Sequence, residues 1–192
     1  MASKILFSCI LKVNKLIAKI LDFCAFPRIV EMLWQRIKLN TRKLTLLEEQ
    51  EARKVFGDSI NYSKVRIDES SLISWLGARI NKCSCMGVTT FYTINFNRKI
   101  KTAIGNSDMK WLIHELTHVA QMEHAGSKYF IEAIYAQKTM GYKYVLGEKK
   151  RLKHYNREQQ ASIIADFYSM FHSGKSTQAF EGYIAELKAG RL

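Results

Sequence analysis

The sequence has no apolar run approaching the roughly 18 residues that a membrane-spanning helix needs, so no transmembrane helix is predicted. Proline is almost absent, with Pro27 as the only one in 192 residues. There is no internal repeat and no low-complexity tract. A hydrophobic fraction of 47% with 24% charged residues is typical of a globular protein that buries a core.

Cysteine is too scarce and too irregularly spaced for a disulfide framework. The four cysteines are Cys9, Cys24, Cys83 and Cys85. Cys83 and Cys85 could form half of a metal site, but there is no second pair to complete it. We interpret the four as small core residues of a protein in a mostly reducing compartment.

Acidic residues are also few, with 17 against 30 Lys and Arg, which gives a net charge of +13. Nine of the basic residues and only two acidic residues lie in residues 1–45. Such an excess attracts nucleic acid, anionic lipid and anionic wall polymers alike. Because no aromatic stacking residues are interleaved with the basic ones, we predict no specific nucleic-acid partner.

Residues 4–24 carry an apolar stripe and a lysine-rich face at helical spacing. Pro27 separates this predicted helix from a second one at about residues 30–39. Two interpretations stay open for residues 4–24. The segment lies on an anionic membrane or guides export, or it packs across the rest of the chain with its lysines in solvent. Lysines at 12, 15 and 19 follow the short apolar run 5–11, and no cleavage site is evident, so no cleaved signal peptide is predicted.

Local signals predict the remaining elements. Thr45 and Glu48 form a capping-box pattern that opens a helix to about Phe56. Residues 65–68 alternate as a short strand, and residues 89–96 are rich in β-branched and aromatic residues, which predicts a second strand. Further helices are predicted at about residues 107–123, 127–140, 156–172 and 176–188.

The segment at residues 111–120 contains the pattern HExxH. His114 and His118 are four residues apart, a little over one helical turn, so both imidazoles lie on one face and can bind one zinc ion. Glu115 lies about 100° further round the helix, where it can act as the base toward the attacking water. The alternative is a pair of surface histidines on an amphipathic helix, and the helical context favours the metal.

A catalytic zinc needs a third protein ligand, and two residues compete for this role. His124 follows His114 by ten residues, as in the pattern HExxHxxGxxH, but position 121 is glutamine where that pattern needs a glycine. Glu158 follows His118 by 40 residues on another predicted helix and could place a carboxylate on the metal. We favour Glu158. Asp166 is either a hydrogen-bond partner of a ligand histidine or a plain surface aspartate.

Three blocks of the sequence, at residues 55–67, 113–119 and 155–161, resemble the Vgr-related, Rhs-associated zinc metallopeptidases of bacteria. The resemblance covers roughly residues 46–170 and leaves the basic segment outside. It implies a zincin fold, a peptidase activity, an association with type VI secretion and Glu158 as the third zinc ligand. Members do not share a histidine at the position of His124. The expected location is the bacterial cytoplasm, with export by a secretion system or association with a membrane.

We therefore expect an α+β, zincin-like fold, mostly helical with a small sheet, in residues 46–192 after a basic helical segment at 1–45. The expected function is zinc-dependent peptide hydrolysis, with Zn²⁺ held by His114, His118 and Glu158. A peptidoglycan-peptide amidase or endopeptidase, and a non-catalytic zinc-stabilised adaptor, are the alternatives. Residues 89–96 are the candidate edge for the substrate. The candidates for stabilising the oxyanion are His154, Tyr155 and Tyr168.

Overall fold

The structure, a computed structural model, describes residues 29, 33, 38, 40–80, 82, 84–126, 129, 132 and 141–192. Within these residues the chain forms four strands and five α-helices. The strands are β1 (Thr41–Arg42), β2 (Arg66–Asp68), β3 (Gly87–Thr90) and β4 (Thr93–Phe96), and the helices are α1 (Leu46–Phe56), α2 (Leu72–Ile80), α3 (Ser107–Ala125), α4 (Arg157–His172) and α5 (Glu181–Lys188). The described part of the chain is therefore α+β.

The strands form a mixed sheet in the order β1-β2-β4-β3. β2 and β4 run parallel, with Ile67 opposite Ile94, while β1 with β2 and β3 with β4 are antiparallel pairs. The parallel pair needs a crossover between its strands, and α2 with β3 supplies it. β1 belongs to the sheet although it lies within residues 1–45, which were predicted to form a separate basic helical segment. The division of the chain at residue 45 stays a prediction.

The prediction of one strand over residues 89–96 is wrong, because these residues form most of a tight hairpin. Phe91 lies at the reversal with a φ of 54°, a left-handed conformation that a bulky residue rarely adopts. No glycine or asparagine marks this turn. The run of β-branched and aromatic residues therefore predicts one continuous strand. Of the two strands of the hairpin, β4 lies inside the sheet and β3 occupies one of its edges.

Capping residues begin the helices where the sequence predicts. Thr45 and Glu48 complete a capping box at α1, and Asn106 accepts a hydrogen bond from the Met109 amide at the start of α3. A second capping box starts α4, with Asn156 as the cap residue. These side chains satisfy amide groups that the first helical turn leaves without partners. The predictions for α1, α3 and α4 are confirmed.

The core lies between α3, α4 and the sheet. α3 packs along α4 and against β3. Fully buried side chains from each element meet there, among them Ile67, Phe96, Leu112, Leu116 and Ile163. This packing fixes the face that α3 turns toward α4, and that face carries the candidate site.

Three predicted helices, at about residues 4–24, 30–39 and 127–140, lie outside the described residues apart from isolated positions. Both interpretations of residues 4–24 therefore stay predictions. None of the described helices is long and apolar enough to cross a membrane.

Candidate metal centre

Helix α3 brings His114 and His118 to one face, as their spacing predicts. Their ring centroids are 5.0 Å apart and the rings are nearly perpendicular. Leu112 and Leu116 are fully buried in the core, so the helix cannot rotate the histidines away without exposing apolar surface. His118 is buried and His114 is partly exposed.

Glu158, the second residue of α4, completes the cluster. Its Oε2 atom is 3.5 Å from His114 Nε2 and 3.4 Å from His118 Nε2. One ligand atom from each of the three residues lies within 4.8 Å of the others. With metal–ligand distances of about 2.0–2.1 Å, the edges of a tetrahedral zinc site are about 3.3–3.4 Å long. Both distances from Glu158 match these edges, and the ligand nitrogens of the two histidines lie within 4.8 Å of each other, so the three side chains could hold a zinc ion.

His124 is not part of this cluster. It lies exposed at the last turn of α3, and a Cβ added at Gly190 would be 2.9 Å from its Nδ1 atom. The helix continues through Gln121 to Ala125, so the chain does not turn back toward His114 as the glycine-containing pattern requires. The geometry brings Glu158, and not His124, to the two histidines.

Glu115 is held beside the cluster by strand β3. Its Oε2 atom accepts a hydrogen bond of 2.9 Å from the Thr89 hydroxyl. On the other side, Gly87 lies so close that an added Cβ would overlap Glu115 Oε1. A glycine is therefore needed for the carboxylate to occupy this position. No local sequence pattern indicates this role for Gly87, since the contact joins a strand and a helix.

Gln121 is a further residue of the site that sequence reasoning missed. Its Oε1 atom is 2.8 Å from His118 Nδ1, so Nδ1 carries the proton in this arrangement and Nε2 faces Glu158. Its Nε2 atom donates to the Arg157 carbonyl at 2.9 Å and to Gln160 Oε1 at 2.8 Å. Gln121 thus connects one candidate ligand on α3 to the turn of α4 that carries another. Its position three residues after His118, on the same helical face, was the available signal.

The electrostatics keep the carboxylate of the cluster ionised. Burial disfavours the charged form of Glu158, but His118 and His114 outweigh it and hold the pKa of this carboxyl well below its usual range. Burial likewise opposes a charged His118, but the Glu158 and Glu115 carboxylates and hydrogen bonds to Glu158 and Gln121 raise its pKa to about 9. An ionised carboxylate and two histidines form a ligand set suited to Zn²⁺, and zinc would displace the proton that His118 holds at neutral pH.

The structure does not bring Tyr155 or Tyr168 to this cluster. The Tyr155 hydroxyl donates to the Val145 carbonyl at 2.9 Å. The Tyr168 hydroxyl donates to Glu51 at 2.9 Å and accepts from the Gly105 amide. These hydroxyls are committed to other partners, so the geometry gives no support to their predicted oxyanion role.

The two other predicted residues also make no contact with the histidines. His154 is exposed in a short 3₁₀ turn, Leu152–His154. Asp166 accepts from the Tyr144 hydroxyl at 2.6 Å and pairs with Lys110 at 2.7 Å, so it does not orient a ligand histidine. It lines the cleft described next.

An open cleft of about 1440 Å³ runs past His114 and Glu115. Trp111 on α3, Gly87 on β3, Asp166 on α4 and the loop at residues 142–146 also line it. The ring of Tyr142 lies 6.0 Å from that of His114, centroid to centroid. Tyr142 lines the cleft and lies near the cluster. It is therefore a candidate for stabilising the oxyanion, and the sequence analysis did not name it.

The fold and the site together define an α+β domain with an HExxH helix whose histidines meet a glutamate from a second helix. No family model matches the chain. It is 30% identical over 153 residues to the type VI secretion system spike protein VgrG2b of Pseudomonas aeruginosa. The match covers 72% of this chain and 14% of that protein, so the chain spans a small part of its relative.

A solved structure, the effector domain of P. aeruginosa VgrG2b, is also similar. The sequence identity is 28% and the TM-score is 0.53, with 73% of this chain and 82% of that chain covered. The likeness therefore extends over most of that domain, in sequence and in fold.

Proposed function

We propose that this chain is a zinc-dependent metallopeptidase that hydrolyses peptide bonds. One observation carries the proposal: Glu158 lies 3.4–3.5 Å from both His114 and His118, within a cluster whose ligand atoms are at most 4.8 Å apart, and the Glu115 carboxylate is held beside it by Thr89. Three protein ligands leave a fourth position open, which is the arrangement of catalytic rather than structural zinc sites.

The residues divide the chemistry among them. His114, His118 and Glu158 would hold the metal, which supplies Lewis acidity and lowers the pKa of bound water. Glu115, positioned by Thr89, accepts a proton from the attacking water and returns it to the leaving amine. Gln121 keeps His118 in the tautomer whose Nε2 is available as a ligand.

The cleft and the sheet edge favour an extended substrate. β3 is the edge strand next to Glu115, and a peptide can add to such an edge through main-chain hydrogen bonds. The open cleft is suited to a segment of a polypeptide or to a wall peptide. These remain the two substrate classes for the chain.

The similarity to the VgrG2b effector domain supports an association with type VI secretion. We propose that the chain acts as an effector domain of such a system and that a component of the secretion apparatus is its partner. Export through that apparatus would need no cleaved signal peptide.

The test of the activity compares zinc-loaded parent protein with the Glu115→Gln variant. Each is incubated with a denatured protein mixture and with purified peptidoglycan, and the products are identified by mass spectrometry. The parent is expected to produce new termini from one of the two substrates, and Glu115→Gln to retain zinc but produce none. Glu181→Gln is the matched control, because Glu181 is exposed on α5, and this variant should behave as the parent does.

Two results would contradict the proposal. Equal product formation by parent and Glu115→Gln would show that Glu115 is not the base. Zinc-loaded parent without any product on either substrate would favour the adaptor alternative.

A further inference from the structure

Helix α2 turns its small residues toward the protein and its large apolar residues toward solvent. Ser74 is 0% and Ala78 is 7% exposed, whereas Leu72 is 68% and Ile80 is 79% exposed. The other exposed large apolar residues of this helix are Ile73, Trp75 and Leu76. A helix on the surface of a globular protein normally has the reverse pattern.

The inner face of α2 is fixed by specific contacts. The Ser74 hydroxyl donates to the Asn95 carbonyl at 2.6 Å. A Cβ added at Gly77 would lie 2.7 Å from the sulfur of Met86, so the helix lies close to that side chain. Rotation that buried the large residues would break these contacts. The outward direction of the apolar face is therefore part of the fold.

The outer face is continuous. At about 100° per residue, the five large apolar side chains lie on an arc of about 160°. Arg79 is the one charged residue within this arc, and its guanidinium carbon lies 4.6 Å from the centroid of the Trp75 ring. Continuous apolar patches of this kind mark interaction sites in proteins.

The charges around this face are basic. At the amino end of α2, Asp68 pairs with Lys38 at 2.5 Å, and Glu69 pairs at 3.1 Å with Arg42, which it shares with Glu48. At the other end Arg79 is exposed, and no carboxylate among the described residues forms an ion pair with it. Lys82, two residues beyond the helix, is exposed as well. The whole chain carries +13.

We propose that α2 docks this protein onto an anionic lipid membrane. The helix would lie in the plane of the headgroups, with its apolar arc inserted and with Arg79 and Lys82 at the lipid phosphates. A groove of a partner protein could accept the apolar residues, but the cations among and beside them favour the anionic lipid surface. The inference is independent of hydrolysis and of residues 4–24.

The experiment uses the full chain and measures co-sedimentation with lipid vesicles. The parent should bind vesicles that contain phosphatidylglycerol more strongly than vesicles of phosphatidylcholine alone, and salt should weaken the binding. In Leu72→Ser/Ile80→Ser the partition constant should fall at least about tenfold, because two inserted side chains are lost. The matched control Leu46→Ser/Ile104→Ser, with residues that are 76% and 61% exposed outside α2, should bind as the parent does.

A second measurement identifies the contacting residue even if the double variant folds poorly. Brominated lipids quench tryptophan that enters the membrane, so part of the parent's quenching should be lost in Trp75→Phe. A parent that binds no vesicles would overturn the proposal and leave a protein groove as the partner of α2. So would a Leu72→Ser/Ile80→Ser variant that binds as tightly as the parent. Unchanged quenching in Trp75→Phe, with binding lost in Lys12→Glu/Lys15→Glu, would assign binding to residues 4–24 and equally overturn it.

Discussion

At the scale of single residues, the site depends on two side-chain positions that lie outside the HExxH pattern. Gln121 occupies the place where a third-histidine pattern needs glycine, and it binds His118 Nδ1, the Arg157 carbonyl and Gln160. Gln121 therefore continues helix α3 and also connects His118, a candidate ligand, to α4.

Replacement of Gln121 by leucine should weaken zinc binding. The loss of a hydrogen bond to a ligand histidine typically costs about 10–100-fold in metal affinity. Gln121→Glu keeps the acceptor for His118 Nδ1, so it should retain more of the affinity than Gln121→Leu does. Competition with a chelator measures both values. Equal zinc affinities for the parent and Gln121→Leu would exclude this positioning role.

Gly87 gives a second prediction at this scale. In Gly87→Ala the new methyl group overlaps the Glu115 carboxylate and displaces it. Peptide hydrolysis should fall by about 100-fold, as small misplacements of catalytic groups do, while zinc content stays at the parent level. Gly182→Ala is the control, because nothing lies within 4 Å of a Cβ added there. Parent-like activity in Gly87→Ala would mean that Glu115 does not act from its observed position.

The sequence could predict His114, His118 and Glu115 because their relation is local to one helix. It could favour Glu158 only by weighing it against His124 and through the family resemblance. Gln121 and Gly87 were not predictable as site residues, since their contacts depend on how α3 meets α4 and β3.

At the scale of elements, α1 is joined to the sheet through one buried carboxylate. Glu48 accepts from Arg42 of β1 at 2.7 and 2.9 Å, from the Thr45 amide at 2.8 Å and from the Thr102 hydroxyl at 3.0 Å. Burial alone would raise the pKa of Glu48, but these donors, Arg42 foremost, lower it below the ordinary value of 4.5.

Glu48→Gln should therefore destabilise the fold in a pH-dependent way. Charge-assisted hydrogen bonds of this kind contribute about 1.5–3 kcal/mol, so the variant should lose about 2 kcal/mol of unfolding free energy at neutral pH. Because the folded pKa is depressed, this contribution is present above pH 4.5 and is lost as the pH falls through the folded pKa. Denaturant unfolding of both proteins across this range measures the difference.

Glu49→Gln is the matched control, since among the described residues Glu49 forms an ion pair only with the exposed Arg53 on the same helix. Exposed pairs contribute about 0–1 kcal/mol. A Glu48→Gln variant as stable as Glu49→Gln at neutral pH would refute the role of Glu48.

Elements with a capping signal were predictable, and elements defined by their partners were not. Thr45, Asn106 and Asn156 begin helices by local chemistry. The hairpin of β3 and β4 turns at Phe91 without a glycine, and the two-residue strand β1 exists only through its pairing with β2. The outward apolar face of α2 likewise depends on tertiary contacts.

At the scale of the whole molecule, the fold brings together residues that are 40 or more positions apart in the chain. α3 packs along α4, and this packing brings His114 and His118 of α3 close to Glu158 of α4. The likeness to the VgrG2b effector domain covers 73% of the chain. The proposed function depends on whether this cluster binds zinc.

Zinc titration of three proteins at one fixed pH tests that centre most directly, with pH held constant because protons compete for the ligands. The parent should bind about one zinc ion per chain. Glu158→Ala should bind zinc more than about 100-fold more weakly, a larger loss than a missing hydrogen-bond partner causes, and His124→Ala should bind as the parent does. A parent that binds no zinc, or a His124→Ala variant that loses zinc while Glu158→Ala keeps it, would contradict a zinc site formed by His114, His118 and Glu158.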